Sequence, residues 1–488
     1  MNPVWLLALI AWPAVMSLAI AAAGRWPNLR ESISVATGVA LLAGAVSLVG
    51  PIAAGERPSL TLFEILPGLG LTFTLEPIGL IFALVASALW PLTTIYGAGY
   101  MRGNDEPDQT RFFVCFALAI SAAIGIAMAG NLLTLFIFYE MMTLVTYPLV
   151  THHRDAESRI GGRIYLGVLL TTSIGLFLPA IVITYLFAGT LEFTHGGILA
   201  GTGLPALGAM ALYTMFVYGI GKAAVMPMHR WLPAAMVAPT PVSALLHAVA
   251  VVKAGVFSVL KITVYIFGLD YAFQSNATEI ILWTASFTVV AASIVALYCD
   301  NLKKRLAYST VGQLSYIVLG SAMASKLGAV SGSLHIVTHA FGKITLFFCA
   351  GAIYTAVHRK YVSQLNGLGR AMPFTFAAFT IASISLIGLP PMGGAWSKWY
   401  LMSGSAGVEE YALLGVLAVS SLLNIVYLLD IPARAFFLPA DADAPQGFHE
   451  APLACVAPLC ITATGCIALF FFAHPIITFI SSALGAGA

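Results

Sequence analysis

Long apolar segments separated by short polar loops make up most of the chain. The segments run roughly 18 to 27 residues, which suits helices that cross a hydrocarbon core of about 30 Å. Ten-residue alternating segments, typical of a membrane barrel, do not occur. The pattern predicts an all-α integral membrane protein with about 14 transmembrane helices. They lie near residues 3–23, 32–53, 78–98, 111–129, 131–150, 163–187, 206–228, 241–267, 278–299, 305–324, 330–356, 373–403, 411–431 and 452–474.

The composition supports this class and excludes several others. Of the 488 residues, 60% are hydrophobic and 9% are charged, whereas soluble domains carry about 25% charged residues. The net charge of +2 leaves no basic tract for a nucleic acid. The six cysteines form no CxxC pair, and no Walker or Rossmann motif occurs, so we expect neither a metal site nor a redox cofactor.

The distribution of basic residues predicts an orientation. Most of the 22 lysines and arginines fall in odd-numbered loops, whereas Arg57 and Lys326 alone fall in even-numbered loops. Positive residues accumulate on the cytoplasmic side. We therefore expect odd loops inside, both termini outside, and an uncleaved first helix, because no basic region precedes it.

A few ionisable residues fall inside the apolar segments. A charge at the bilayer centre costs at least about 2.5 kcal/mol, so Glu140, Lys222, Lys253, Lys343 and Lys398 are candidate functional groups. Lys222 and Lys398 adjoin proline-rich interruptions, GIGKAAVMPMHRWLP and GLPPMGGAWSKWY, which are typical of discontinuous transport helices. A carboxylate keeps a buried lysine protonated, so a Glu–Lys pair predicts a proton switch.

Histidines extend this row of lysines. His335, His339 and Lys343 recur at i, i+4 and i+8, which places them on one helix face. His247 lies near the cytoplasmic end of the helix that carries Lys253. Because histidine titrates near neutral pH, we expect a cytoplasmic half-path near His247 and an outward one near His339. Packing histidines, and a snorkelling or packing role for a sixth residue, Lys261, remain the alternatives.

Several motifs resemble one known family. The run GKAAVMPMHRWLPAAMVAPTPVSALLHAVAVVKAGVF is similar to the signature of the antiporter-like subunits of respiratory complex I, Mrp-type cation/proton antiporters and membrane-bound hydrogenases. The stretches FYEMMTLVTYPLV, NLKKRLAYSTVGQLSYI, HIVTHAFGKITLFF and GLPPMGGAWSKWYL are similar too. The stretch THAFGKITLFFCAGAI is most similar to the corresponding sequence of the D-type chain of Mrp antiporters. Glu76 stands where an aspartate is expected.

The resemblance implies a fold and residue roles. It implies two inverted five-helix repeats, 111–267 and 278–431, between an N-terminal three-helix segment, 1–110, and a C-terminal loop and helix, 432–488. Helices 7 and 12 would be broken. Glu140 and Lys222 would form the gating pair, Lys253, Lys343 and Lys398 the central and outward lysines, and His247 and His339 the relay.

The function implied is proton translocation within a multisubunit sodium/proton antiporter of a prokaryotic inner membrane. Partners would be homologous antiporter-like subunits, small membrane subunits, the lipid bilayer, protons and, as candidate second ion, sodium. The alternative is a proton-pumping subunit of an NADH–quinone oxidoreductase or hydrogenase. A redox protein with haem between His247 and His339 and a stand-alone permease are two further readings.

Overall fold

The computed structural model describes residues 2–66, 69–442, 444–445 and 447–484, apart from the side chains of Leu66, Leu246 and His247. Helices make up most of this part of the chain. The α-helices are α1 Val4–Ala22, α2 Pro27–Ser47, α3 Val49–Ala53, α4 Pro77–Gly103, α5 Gln109–Ala127, α6 Leu132–Val150, α7 Ala156–Thr172, α8 Leu178–Ala188, α9 Ala206–Gly219, α10 Trp231–Ala234, α11 Thr240–Ala244, α12 Val251–Ile262, α13 Leu269–Gln274, α14 Glu279–Tyr298, α15 Leu302–Ala322, α16 Lys326–Val357, α17 Pro373–Ile387, α18 Gly394–Gly407, α19 Tyr411–Phe437, α20 Leu453–Phe471 and α21 Ala473–Ser481.

A β-hairpin corrects the expectation of an all-α chain. Strands β1, Ser59–Leu66, and β2, Leu69–Thr74, pair antiparallel, with Ser59 opposite Thr74 and Thr61 opposite Thr72. The stretch SLTLFEILPGLGLTFT combines β-branched and aromatic residues with a Pro-Gly turn signal. These local preferences favour strands over a helix in a polar segment between two spans.

The long helices identify an integral membrane protein. In the described part of the chain, ten helices are long and apolar enough to cross a membrane, and α9 and α17 are shorter apolar helices. Peripheral helices leave large apolar side chains exposed, as Leu18, Leu186 and Leu422 do. Such side chains are stable against lipid tails rather than water.

Two of the described helical segments are interrupted beside a buried lysine. The predicted helix at 206–228 stops at Gly219, and a short 3₁₀ turn, Gly221–Ala223, follows it. The predicted helix at 373–403 stops at Ile387 and resumes at Gly394. The first interruption ends α9 and the second separates α17 from α18, so each leaves helical carbonyl groups without their usual partners.

Two helices form the buried centre of the fold. Every residue of α12 is buried, and α16 is buried along nearly its whole length. α16 packs against α15, α17, α18 and α20, and α12 packs against α15 and α16. The charged groups in the buried parts of these two helices therefore depend on other protein groups for their hydrogen bonds.

Candidate functional site

Lys253 and His339 are in direct contact at the centre of the fold. Lys253 Nζ lies 2.6 Å from His339 Nδ1, and both residues are fully buried. The lysine comes from α12 and the histidine from α16, so the contact joins two helices that are far apart in the sequence. When Lys253 is protonated, its ammonium only donates, so the bare Nδ1 of a neutral imidazole accepts this hydrogen bond.

Lys222 lies in the first interruption and faces α6. Its Nζ donates to the carbonyl oxygen of Tyr139 at 2.5 Å and to Thr143 Oγ1 at 2.6 Å, and it lies 3.2 Å from the centre of the Tyr139 ring. The backbone N–H of Lys222 donates to the Tyr139 hydroxyl at 3.1 Å. Lys222 is fully buried, and within the described part of the chain these contacts with neutral groups hold its ammonium.

Glu140 lies next to these groups but does not pair with Lys222. Among the described residues, no ion pair within 4.0 Å joins the two side chains. The Oε1 atom of Glu140 is buried and has no hydrogen-bond partner within the same part of the chain. Tyr139 and Thr143 lie on the same helix as Glu140, whose charge acts on Lys222 electrostatically.

The interruption beside Lys222 is fixed by close packing. Trp231 Nε1 donates at 2.8 Å to the carbonyl oxygen of Gly221, which also accepts from the Ala224 N–H within the 3₁₀ turn. A Cβ atom at Gly255 of α12 would lie 2.4 Å from the Lys222 carbonyl carbon. Glycine is therefore required where α12 approaches the backbone that carries the lysine.

Lys398 occupies the second interruption. Its Nζ donates to the carbonyl oxygen of Ile387, the last residue of α17, at 2.9 Å and to Ser421 Oγ at 3.3 Å. The ring centre of Tyr316 lies 4.7 Å away. Gly388 ends α17 with φ +91°, and a Cβ there would lie 2.6 Å from Lys398 Cδ. The glycine thus permits both the left-handed turn and the passage of the lysine.

Lys343 and His335, on α16 like His339, contact polar side chains of other helices. Lys343 Nζ donates to Ser309 Oγ at 2.7 Å and to the carbonyl oxygen of Leu306 at 3.2 Å. The His335 and His339 rings stack with centres 5.7 Å apart. His335 also contacts polar side chains of α15 and α18. The structure therefore brings Lys253, His339 and His335 into one polar cluster, with Lys343 one turn further along α16.

His247 is the predicted site residue whose side chain lies outside the described part. Its backbone belongs to a π-helical turn, Leu245–Val249, that precedes α12. Near the start of α11 lies a cavity of about 320 Å³ lined by Thr240, Lys303 and His153, among others. Glu106 lies 3.0 Å from His153, and this hydrogen bond raises the pKa of the imidazole.

Sequence reasoning missed a buried acid–lysine contact elsewhere in the fold. Lys261 Nζ lies 2.7 Å from Glu76 Oε1 and donates to the carbonyl oxygen of Ala129 at 2.6 Å. Lys261 is 1% exposed, so it does not snorkel to the interface. Glu76 precedes α4 and is far from Lys261 in sequence, so hydropathy did not indicate the pairing. The one available signal was an acid at the entrance of an apolar helix.

No metal-binding group stands out in the described ranges. Within them, no three His, Cys, Asp or Glu side chains are placed to hold a metal ion. The polar cluster is instead built from amines, imidazoles, hydroxyls and released carbonyl groups. These groups donate and accept protons at short range without a redox group, so the arrangement suits proton transfer between side chains.

Comparison with known proteins relates the whole chain to one family. NADH-quinone oxidoreductase subunit N of Desulforudis audaxviator (strain MP104C) is 30% identical, over 93% of this chain and 92% of its own length. The A/B chain of a probable K(+)/H(+) antiporter of Rhizobium meliloti (strain 1021) is also 30% identical, over 88% of this chain but only 44% of its own length.

Two solved structures share the fold. A chain of the Mrp complex from Dietzia sp. DQ12-45-1b superposes with a TM-score of 0.84, at 22% identity, over 98% of this chain and 96% of that one. A chain of the membrane-bound sulfane sulfur reductase, an archaeal respiratory membrane complex, gives 0.86, at 22% identity, over 98% and 97%. The family model described as "NADH:quinone oxidoreductase/Mrp antiporter, TM" matches residues 129–424. With a match over more than half its length, the chain belongs to the transmembrane family shared by NADH:quinone oxidoreductases and Mrp antiporters.

Proposed function

We propose that the chain is a proton-translocating subunit of a multisubunit monovalent cation/proton antiporter. The observation that carries this proposal is the 2.6 Å contact between Lys253 Nζ and His339 Nδ1 in a fully buried position. Two bases in hydrogen-bond contact share one proton more readily than they hold two, because a second charge would meet repulsion and desolvation together. The pair is therefore a place where a proton crosses from one side chain to the next.

Glu140 and Lys222 form the switch at one end of the row. Lys222 binds the Tyr139 carbonyl and Thr143, while Glu140 keeps a buried oxygen without a partner in the described chain. When the ammonium moves to Glu140 it keeps its proton, and when it returns to neutral partners the charge costs more. Each position of the lysine thus changes how readily Lys253 holds a proton.

The remaining polar groups extend the row on both sides. Lys343 lies beyond His339 on α16, Lys398 ends the outward path, and His335 lies between these groups. His247 precedes Lys253 on the cytoplasmic path. We take the fold as 14 transmembrane helices with two inverted repeats, 111–267 and 278–431, and with both termini outside. The two interruptions, each beside a lysine, support this division.

The membrane and the partners follow from the same family. We assign the chain to a prokaryotic plasma membrane, in a complex with homologous antiporter-like subunits and small membrane subunits. Both superposed structures are multisubunit membrane complexes, which supports this assignment. Sodium or another cation would cross through a different subunit, because Glu140 is a single central acid of the row and does not form the carboxylate-rich cluster that a sodium site would need.

The test uses the assembled complex in liposomes. A sodium gradient should drive a pH change that an internal dye reports. Lys253→Met removes the transferable proton, so we expect transport to fall about 100-fold or more. Lys304→Met, an exposed lysine at the start of α15, is the matched control and should transport normally. A Lys253→Met complex that transports at the wild-type rate contradicts the proposal.

A second candidate is a proton-pumping subunit of an NADH–quinone oxidoreductase. It is favoured by the match to subunit N, which covers 92% of that relative, against 44% of the antiporter chain. The same row of lysines would then be driven by electron transfer elsewhere in the complex. Proton movement that needs NADH and quinone, and no sodium gradient, would identify this candidate.

A further inference from the structure

Gln313 lies between His335 and the broken end of α17. Its side chain is buried; Nε2 faces the Leu386 carbonyl oxygen at 3.4 Å, and Oε1 faces His335 Nε2 at 3.1 Å. Leu386 lies in the last turn of α17, where carbonyl groups lose their helical partners. An amide nitrogen only donates and an amide oxygen only accepts. The released carbonyl therefore fixes which end of Gln313 faces the histidine.

This orientation decides the tautomer of His335. Because Oε1 of Gln313 cannot donate, the Nε2 atom of His335 must carry the hydrogen. In the neutral ring, Nδ1 is then bare. Nδ1 lies 2.8 Å from Ser397 Oγ, which belongs to the first turn of α18. Only Nδ1 is left to gain or lose a proton, and it does so facing a hydroxyl group.

Ser397 has two acceptors for its single hydroxyl hydrogen. One is His335 Nδ1 at 2.8 Å, and the other is the carbonyl oxygen of Gly394 at 3.0 Å. When His335 is neutral, the hydroxyl donates to Nδ1. When His335 is charged, Nδ1–H donates to Ser397 Oγ and the hydroxyl turns to Gly394. Both states are fully hydrogen-bonded, and apart from the proton that His335 gains or loses, the change between them needs only the rotation of one hydroxyl.

We propose that Gln313 and Ser397 make His335 a proton-holding station between Lys253 and Lys398, with Gln313 as the positioning residue and Ser397 as the group that switches acceptors. The inference rests on the proposed function, because a lysine ammonium of the row supplies the proton. In the step, an N–H bond of that ammonium breaks, an N–H bond forms at His335 Nδ1, and the positive charge moves to the ring.

His335 lies within electrostatic reach of the two lysines of the step. His339 stacks on it from α16, Tyr316 of α15 lies with its ring centre 5.8 Å away, and Lys253 of α12 and Lys398 of α18 act on it electrostatically. A charge on either lysine opposes a charge on His335. The station therefore fills as a neighbouring lysine gives up its proton and empties as one regains it.

Nitrogen-15 NMR of histidine in the lipid-embedded complex tests the positioning role. The signal of His335 is assigned by its loss in His335→Gln. We expect the Nε2–H tautomer in the wild type, a mixture of tautomers in Gln313→Leu, and the wild-type pattern in the control Ser315→Ala, whose hydroxyl bonds only its own helix. An Nδ1–H tautomer in the wild type, or an unchanged spectrum in Gln313→Leu, overturns the assignment.

Transport tests the role of the serine. Ser397→Ala should lower proton transport about tenfold or more, and Ser397→Thr, which keeps the hydroxyl, should restore most of it. Ser405→Ala removes a buried hydroxyl two turns further along α18 and should transport normally. Equal transport by Ser397→Ala and the wild type overturns the relay. The tautomer is read without transport, so a complex that moves no protons refutes the proposed function and leaves the NMR result independent.

Discussion

The Glu76–Lys261 contact should contribute strongly to stability. Removing either partner leaves a charge buried without compensation, as the two side chains are 9% and 1% exposed. At 2.7 Å and an effective dielectric constant of about 20, the attraction is about 6 kcal/mol, much of which offsets desolvation. Truncating one partner of such a pair costs about 3–5 kcal/mol. We expect Glu76→Gln and Lys261→Met each to fall in this range.

The double variant separates the pair from its individual residues. Glu76→Gln combined with Lys261→Met removes both charges together, so its loss should be smaller than the sum of the two single losses by about 2 kcal/mol or more. The measurement is the free energy of unfolding in mixed detergent micelles, followed by circular dichroism. The exposed pair Arg154–Asp108, with side chains 62% and 42% exposed, is the control, and Arg154→Met should cost less than about 1 kcal/mol. Single variants as mild as this control, or strictly additive losses, would refute the reasoning.

Two further substitutions probe the turn and the cytoplasmic side. Gly388→Ala places a Cβ at φ +91° against Lys398, so we expect the free energy of unfolding to fall by about 1–3 kcal/mol and transport to slow. The control Gly415→Ala, with open space around its Cβ, should be tolerated. Equal thermal midpoints for Gly388→Ala and Gly415→Ala would contradict this expectation. The Glu106 hydrogen bond raises the pKa of His153, so its stabilisation is present below the ordinary histidine pKa and is lost as pH rises through the raised value. His153→Gln should therefore lower the thermal midpoint more at pH 6 than at pH 9, unlike His195→Gln in an exposed loop.

The buried lysines were predictable as a set, whereas their partners were not. The hydropathy of the surrounding segment predicts their depth in the membrane. The proline-rich runs predict the helix interruptions beside Lys222 and Lys398. Direct pairing of Glu140 with Lys222 was the natural expectation from the motif. In the structure, Lys222 instead binds the Tyr139 carbonyl oxygen and the Thr143 hydroxyl, two polar groups of the same helix that carries Glu140.

The β-hairpin could not be predicted from the lengths of the apolar segments, which indicate only membrane-spanning helices. Residues 59–74 lie between two predicted transmembrane helices, and the lengths of the apolar segments predict no helix or strand there. The alternation of leucine and threonine there has a period of two, which a search for segments of membrane-spanning length does not detect. The strands form because of local residue preferences, which are present in the sequence but are not visible in the lengths of the apolar segments.

The class of the protein, the depth of its charged residues and its family were determined by the sequence alone. Each depends on composition, on position within an apolar segment, or on short motifs, all of which are properties along the chain. Only the tertiary structure decided that Lys261 pairs with Glu76, that Lys253 meets His339, and that Gln313 and Ser397 converge on His335. These contacts join helices that are many residues apart, and the rotation and crossing of packed helices, rather than their hydropathy, set which side chains meet.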